Sequence, residues 1–189
     1  MKKLIVATAL LLVAGLSQAQ NITVDADKKL NTDFSKYKTY GWASQVDNKL
    51  DPGFYFLNDL VLKERIRDAV QYAMDGRGYK LTRQKPDLLV NFRVFDQPTS
   101  IKRYTGYGTT YFGSEEVREP EDVTTFNIKA GSLIINLVDT KTGQVVWRGL
   151  ASGLTNNNGF DRDHNKIKQA INLVFDQYGY RADKYSSTR

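Results

Sequence analysis

GSLIINLVDTKTGQVVWRGLAS, residues 131–152, is the stretch on which the fold turns. Its first half closes a long β-rich run, Val123 to Val138, with a candidate kink at Ala130-Gly131. Asp139-Thr140-Lys141-Thr142-Gly143 then interrupts with turn residues, and Gly143 can supply the left-handed residue that such a hairpin loop needs. The return strand runs from Gln144 to Ser152. On it Val145, Trp147, Gly149 and Ala151 share one face, and Val146, Arg148 and Leu150 the other. Trp147 is expected to anchor a core between sheet and helices, and Arg148 to meet a carboxylate on an open face. Two strands joined by so short a loop pair antiparallel.

Upstream, Ile22, Val24 and Ala26 alternate with Thr23, Asp25 and Asp27, the period of a half-buried strand. Asp33-Phe34-Ser35 reads as a turn, and Tyr37 to Trp42 as a second strand. Asp51-Pro52-Gly53 is a loop signal. A helix follows, with Asn58 as the expected N-cap. Its residues Leu62, Ile66, Ala69, Val70 and Ala73 fall within an arc of about 100°. It should close near Gly76 or Gly78, where positive φ costs nothing. Pro86-Asp87 opens another strand, with Leu88, Val90, Phe92 and Val94 on one side, and Pro98 ends it. Thr99 to Asp122 reads as a long irregular region. Downstream of the hairpin, Asn156-Asn157-Asn158-Gly159 is a polar loop. A second helix starts near Asp161 or Asp163 and ends at Gly179, with Ile167, Ala170, Ile171, Val174, Phe175 and Tyr178 in an arc of about 140°.

Hairpins favour an antiparallel sheet, and two one-sided helices need one sheet face to bury against. The expected fold is α+β: a single antiparallel or mixed β-sheet with two helices packed on one face. Residues 20–180 make one domain, and the polar tail 181–189 should fray.

The N-terminus carries an address. Lys2 and Lys3 precede an apolar run, Leu4 to Leu16, and Ser17-Gln18-Ala19 offers the small residues that a signal peptidase reads. This is the pattern of a secretory signal peptide cut between Ala19 and Gln20. The run is too short for an ordinary membrane span of about 20 residues. Its removal leaves 170 of the 189 residues. A chain of that size buries about 70% of its unfolded surface, enough for one core. Without Lys2 and Lys3 the 27 basic residues become 25, against 21 acidic ones. These charges are interspersed, the pattern of a solvated surface and not of a nucleic-acid face.

There are no cysteines and one histidine, His164. Thiol catalysis, thiolate metal sites and disulfides are therefore excluded. No cofactor, metal or catalytic residue is assigned. His164 beside Asp163 lacks a nucleophile with a G-x-S-x-G setting, and neither Gly131-Ser132 nor Gly113-Ser114 supplies one. Asp25 and Asp27 share a strand face, the raw material of a two-carboxylate hydrolase. On an edge strand they instead mark the solvated side. Glu115, Glu116, Glu119, Glu121 and Asp122 lack the regular spacing of a calcium loop. Thr105-Gly106-Tyr107-Gly108 lacks the lysine and following helix of a phosphate cradle. Tyr104, Tyr107, Tyr111 and Phe112 among glycines suit a contact loop for a glycan or protein surface. The plainer reading of that segment is a mobile extension.

Four segments carry a resemblance. They are Asp33-Phe34-Ser35-Lys36-Tyr37-Lys38-Thr39-Tyr40-Gly41-Trp42; Gly78-Tyr79 with Pro86-Asp87-Leu88-Leu89-Val90; Gly131 to Asp139; and Thr142 to Gly149. In this order and spacing they resemble the bacterial envelope family known as domain of unknown function 4136, from about Val24 to Tyr178. The resemblance implies an exported α+β domain, often a lipoprotein, with no established activity. Gln20 stands where a lipidated cysteine would be, so an unlipidated periplasmic or extracellular form is expected. The function expected is a non-enzymatic envelope binding or accessory module, whose partner is an envelope protein, glycan or lipid. The alternatives are a carboxylate-based envelope hydrolase and a carrier of an apolar ligand.

Overall fold

The computed structural model describes residues 22–43, 59–106, 109–112, 123–156 and 159–185. Its elements are β1 (Thr23–Lys28), β2 (Thr39–Trp42), α1 (Leu60–Asp75), β3 (Lys80–Leu81), β4 (Leu88–Phe95), β5 (Thr99–Gly106), β6 (Thr109–Phe112), β7 (Val123–Ile128), β8 (Ser132–Asp139), β9 (Val145–Ser152), β10 (Thr155–Asn156), β11 (Gly159–Phe160) and α2 (His164–Asp176). Six strands form a mixed sheet in the order β1-β9-β8-β4-β2-β3. β8 and β9 are the antiparallel hairpin expected at residues 131–152. β4 and β3 pair parallel with β2, because α1 carries the chain back before each of them.

Each helix begins where an aspartate can cap it. Asp59 accepts the Leu62 N–H at 2.9 Å, and Asp163 accepts the Lys166 N–H at 2.8 Å. The first cap is thus Asp59, one residue beyond the expected Asn58. α1 gives way to Gly78, which takes φ +80° as a helix terminus requires. Every residue of the two expected apolar stripes is buried. They close over Tyr40, Leu88, Val90, Leu133, Ile135, Leu137 and Trp147 on one sheet face. Trp147 lies 5.3 Å from the Phe175 ring and 5.1 Å from Tyr178, centroid to centroid. Gly149 beside it lets α2 come close: a Cβ there would stand 2.1 Å from Val174 Cγ1.

Two expectations need correction. Residues 99–106 and 109–112 are not irregular. They are β5 and β6, and with β7 they form a second, three-stranded sheet in the order β6-β5-β7. Two β-rich runs separated by two residues, one of them Gly108, is a hairpin signature that the glycines and tyrosines obscured. The β-rich run 123–138 accordingly divides, at Gly131 with φ +67°, between two sheets. The beginning of the tail is docked and not frayed. Ala182 is buried, its N–H donates to the Arg77 carbonyl at 2.8 Å, and its own carbonyl accepts the Lys38 ammonium at 2.8 Å. Tyr180 just before it stacks on Phe34, with ring centroids 4.1 Å apart.

Candidate functional site

The sheet has one face under the helices, and the other is where contact chemistry can lie. Strand register builds that second face in rows. Asp27, Arg148, Asn136 and Asn91 stand in line across β1, β9, β8 and β4. Arg148 Nε donates to Asn136 Oδ1 at 2.8 Å, and Asn136 Nδ2 donates to Asn91 Oδ1 at 2.7 Å. Arg148 and Asn136 are buried, and a buried guanidinium needs such partners. The adjacent row is Asp25, Leu150, Ile134 and Arg93. Here β7 leans in: Phe126 and Ile128 pack with Phe95, Ile134 and Leu150 as a small second core. Ser132 and Ser152 share a buried hydroxyl hydrogen bond of 2.8 Å at the same end.

Where the two rows meet the edge of β7 they leave a shallow cleft. Asp25, Asp27, Phe126, Arg148 and Leu150 line its walls, and it encloses ≈ 30 Å³. That holds a water or two and no sugar ring. The suspected carboxylate pair therefore does share a cleft, with Asp25 exposed and Asp27 half-buried. Arg148 is placed on the open face as its strand position required, its Nε taken by an amide and Asp27 opposite it in register.

The remaining candidates separate. His164 is exposed at the first turn of α2, while the neighbouring Asp163 carboxylate caps the helix. The Ser132 hydroxyl is bound to Ser152 on the sheet face opposite the helices, whereas His164 begins α2. Among the described residues no three His, Asp or Glu side chains gather as metal ligands. Tyr104 and Tyr111 stand opposite each other on β5 and β6, as do Arg103 and Phe112. Tyr107, Glu115, Glu116, Glu119, Glu121, Asp122, Gly113-Ser114 and the Ala19-Gln20 cleavage position lie outside the described residues. No helix among the described residues is long and apolar enough to cross a membrane.

Two aspartates that composition did not single out hold the scaffold around this face. Asp139 accepts the Tyr37 hydroxyl at 2.7 Å, the Lys36 ammonium at 3.0 Å and the Lys141 and Thr142 N–H groups. Burial alone would raise its carboxyl, but these donors outweigh burial and hold it well below the usual carboxylate range. Asp87 accepts the N–H groups of Lys38 and Thr39 and the Thr39 hydroxyl, tying the start of β2 to the start of β4. Its carboxyl is also lowered, burial again being overcome by these bonds. The signal for both was in the sequence: each Asp opens or closes a strand beside turn residues, where a short carboxylate reaches backbone donors.

The class is thus an α+β sandwich whose mixed sheet carries two helices on one face and a small accessory sheet against the other. The family model for the domain of unknown function DUF4136 matches residues 22–180, and the chain belongs to that family. Among solved structures it is similar to a DUF4136 family protein from Bacteroides thetaiotaomicron, at 18% identity over 85% of this chain and 97% of that one, TM-score 0.54. A PDZ domain protein from Parabacteroides distasonis aligns at 15% identity over 85% of this chain, TM-score 0.50. The match covers 36% of that longer protein. The PelC dodecamer from Paraburkholderia phytofirmans aligns at 12% identity over 85% of this chain and 99% of that one, TM-score 0.46. At these identities the likeness is one of fold. No curated protein matches.

Proposed function

We propose that this chain is an exported, non-catalytic binding or accessory module of the cell envelope that meets its partner through the sheet face opposite the helices. The observation that carries the reading is the form of that face. It carries a hydrogen-bonded polar row, with Arg148 and Asn136 buried and Asn91 half-buried, beside a cleft of ≈ 30 Å³ rimmed by Asp25, Asp27 and Phe126. Such a surface suits contact with a large molecule and is too shallow to enclose a small substrate. The β5–β6 hairpin, with Tyr104 opposite Tyr111, supplies a second contact element beside it. Export is supported by the charged, apolar and small-residue sequence of residues 1–19.

The test places a photo-reactive residue at Asn91, at Thr110 on the hairpin, or at Lys168 on the helix side, in cells that make the protein. Illumination is expected to give discrete adducts from the first two positions and none from Lys168. Mass spectrometry of the mature N-terminus should find Gln20, free or cyclised. Adducts from Lys168 alone, or an intact Met1 in the cytoplasmic fraction, would refute the reading.

A further inference from the structure

We propose that Asp25 and Asp27 guard the outer edge of β1 against strand addition by a second copy of this chain. β1 ends the six-stranded sheet, and no described strand pairs with its outer side. Which peptide groups face outward follows from the ladder. The Lys29 N–H donates to the Val146 carbonyl at 2.9 Å, continuing the β1–β9 pairing. In an antiparallel pair successive residues turn their N–H and C=O alternately toward and away from the partner. Asp27, Asp25 and Thr23 therefore face β9, while Val24, Ala26 and Lys28 present their peptide groups outward. A row of this kind is a template for another strand. Here its middle donor is already taken: the Ala26 N–H donates to Asp25 Oδ1 at 2.9 Å.

An incoming strand that uses the Ala26 donor must displace the carboxylate of Asp25 and strip water from it. A second copy meets a further obstacle. Two β1 strands related by a two-fold axis centred on Ala26 set Asp25 of each opposite Asp27 of the other. An axis centred on Asp25 or Asp27 sets that residue opposite itself. Like charges directly across a strand pair are destabilising. Axes centred on Val24 or Lys28 escape the clash but run off one end of the strand. The two residues are not equal guards. Asp27 stands opposite Arg148 on the inner side, which answers part of its charge, whereas Asp25 stands opposite Leu150. Asp25 thus carries the greater share, since it both fills the donor and has an apolar residue, not a cation, opposite it on β9. The paired carboxylates that suggest a hydrolase are, on this account, a device that keeps copies apart. Asp25 and Asp27 also rim the cleft of the proposed contact face, but self-association is measured with no partner present, so its outcome does not turn on that reading.

The experiment compares the mature chain with Asp25→Ala/Asp27→Ala by sedimentation equilibrium, after circular dichroism has shown both folded. Self-association of the double variant should tighten at least tenfold. Adding Ala26→Pro should abolish the gain, because that N–H faces outward and its loss costs no ladder bond. Lys28→Pro serves the same purpose by the same logic if Ala26→Pro does not fold. Amide exchange at Ala26 should quicken in the single variant Asp25→Ala. A folded double variant that associates no more than the parent overturns the proposal. So does association that survives the edge proline, or an Ala26 exchange rate unchanged by Asp25→Ala.

Discussion

Gly149→Ala tests how tightly the second helix is seated on the sheet. The added Cβ would lie 2.1 Å from Val174 Cγ1 and 2.7 Å from the Trp147 ring. Reaching ordinary contact at 3.4 Å requires Val174 to retreat by 1.3 Å. Val174 is fully buried on α2, between Ile171 and Phe175, and Trp147 is pinned by Phe175 and Tyr178. Neither neighbour can swing away alone, so the helix must shift. Overpacking of that kind costs about 2–3 kcal/mol. In a domain of this size the melting midpoint should fall by roughly 5–10 °C. Val174→Ala alone removes two buried methyl groups and should cost about 1.5–2.5 kcal/mol. Together the two changes should offset each other, because the new methyl occupies the space the valine leaves. The prediction is a coupling energy of about 2 kcal/mol in favour of the double variant, measured by urea denaturation of all four proteins. Additivity within about 0.5 kcal/mol would show that the two sites do not share a packing constraint, and would refute the close-approach account of Gly149.

Acid should weaken the fold through its lowered aspartates. Asp139 and Asp87 bind protons more readily unfolded than folded, so their stabilisation is complete above the unfolded value near 4 and is lost as pH falls below it. Asp139→Asn should cost about 2–3 kcal/mol at pH 7 and flatten the stability slope between about pH 5 and 2, read from urea titrations at stepped pH; an unchanged slope would count against the Asp139 network. In the opposite direction, burial raises the hydroxyls of Tyr37, Tyr40 and Tyr178, with carboxylate or tyrosine neighbours adding to it. Their contribution is present below about pH 10 and lost above it. Phenolate absorbance should therefore show at least Tyr37, Tyr40 and Tyr178 un-ionised until the chain unfolds in alkali. Asp59→Ala removes the α1 cap and the 2.7 Å pair with Arg162, and should cost about 1 kcal/mol with no loss of helix α2.

The helices and the central hairpin were legible because their signals are local and repeat. Ile167, Ala170, Ile171 and Val174 recur at helical spacing, and all four are buried. Gly143 takes φ +67° in the expected loop. The second sheet was not legible in the same way. Tyrosine, threonine and glycine around residues 104–112 satisfy both a contact loop and a ribbon, and only pairing with β7, a partner some twenty residues away, decides between them. The docked start of the tail was missed for a related reason. Arg181, Asp183 and Lys184 are polar, yet Ala182 between them is buried, its backbone bonded to the Arg77 carbonyl and the Lys38 ammonium, partners that no local pattern announces. Of the candidate site, the sequence placed Asp25, Asp27 and Arg148 on their strands. It did not show that Arg148 Nε would bond an asparagine on β8, with Asp27 opposite on β1, because cross-strand neighbours depend on register.

The segments that carry the family resemblance can now be asked what they do, and most of them hold the scaffold. Asp33 caps the short 3-10 turn at 34–36, Tyr37 donates to Asp139, and Asp87 ties β2 to β4. At Gly41 a Cβ would stand 2.9 Å from Pro86 Cγ, so these two segments meet as backbone against ring. Trp147 and Gly149 seat α2. Such residues specify an architecture and are indifferent to what it touches. Ser132, Asn136 and Arg148 are different in kind: they belong to the same segments, yet lie on the face opposite the helices. A polar row costs more to bury than apolar residues of the same size unless every member is bonded. Arg148, Asn136 and Asn91 are bonded to one another, so the row can serve the fold, the proposed contact, or both. Asn136→Leu with Arg148→Met separates the two demands. If the row serves only the fold, the doubly apolar variant should be at least as stable as the parent and give the same photo-adducts from Asn91. If the row serves recognition, stability should hold while the adducts disappear.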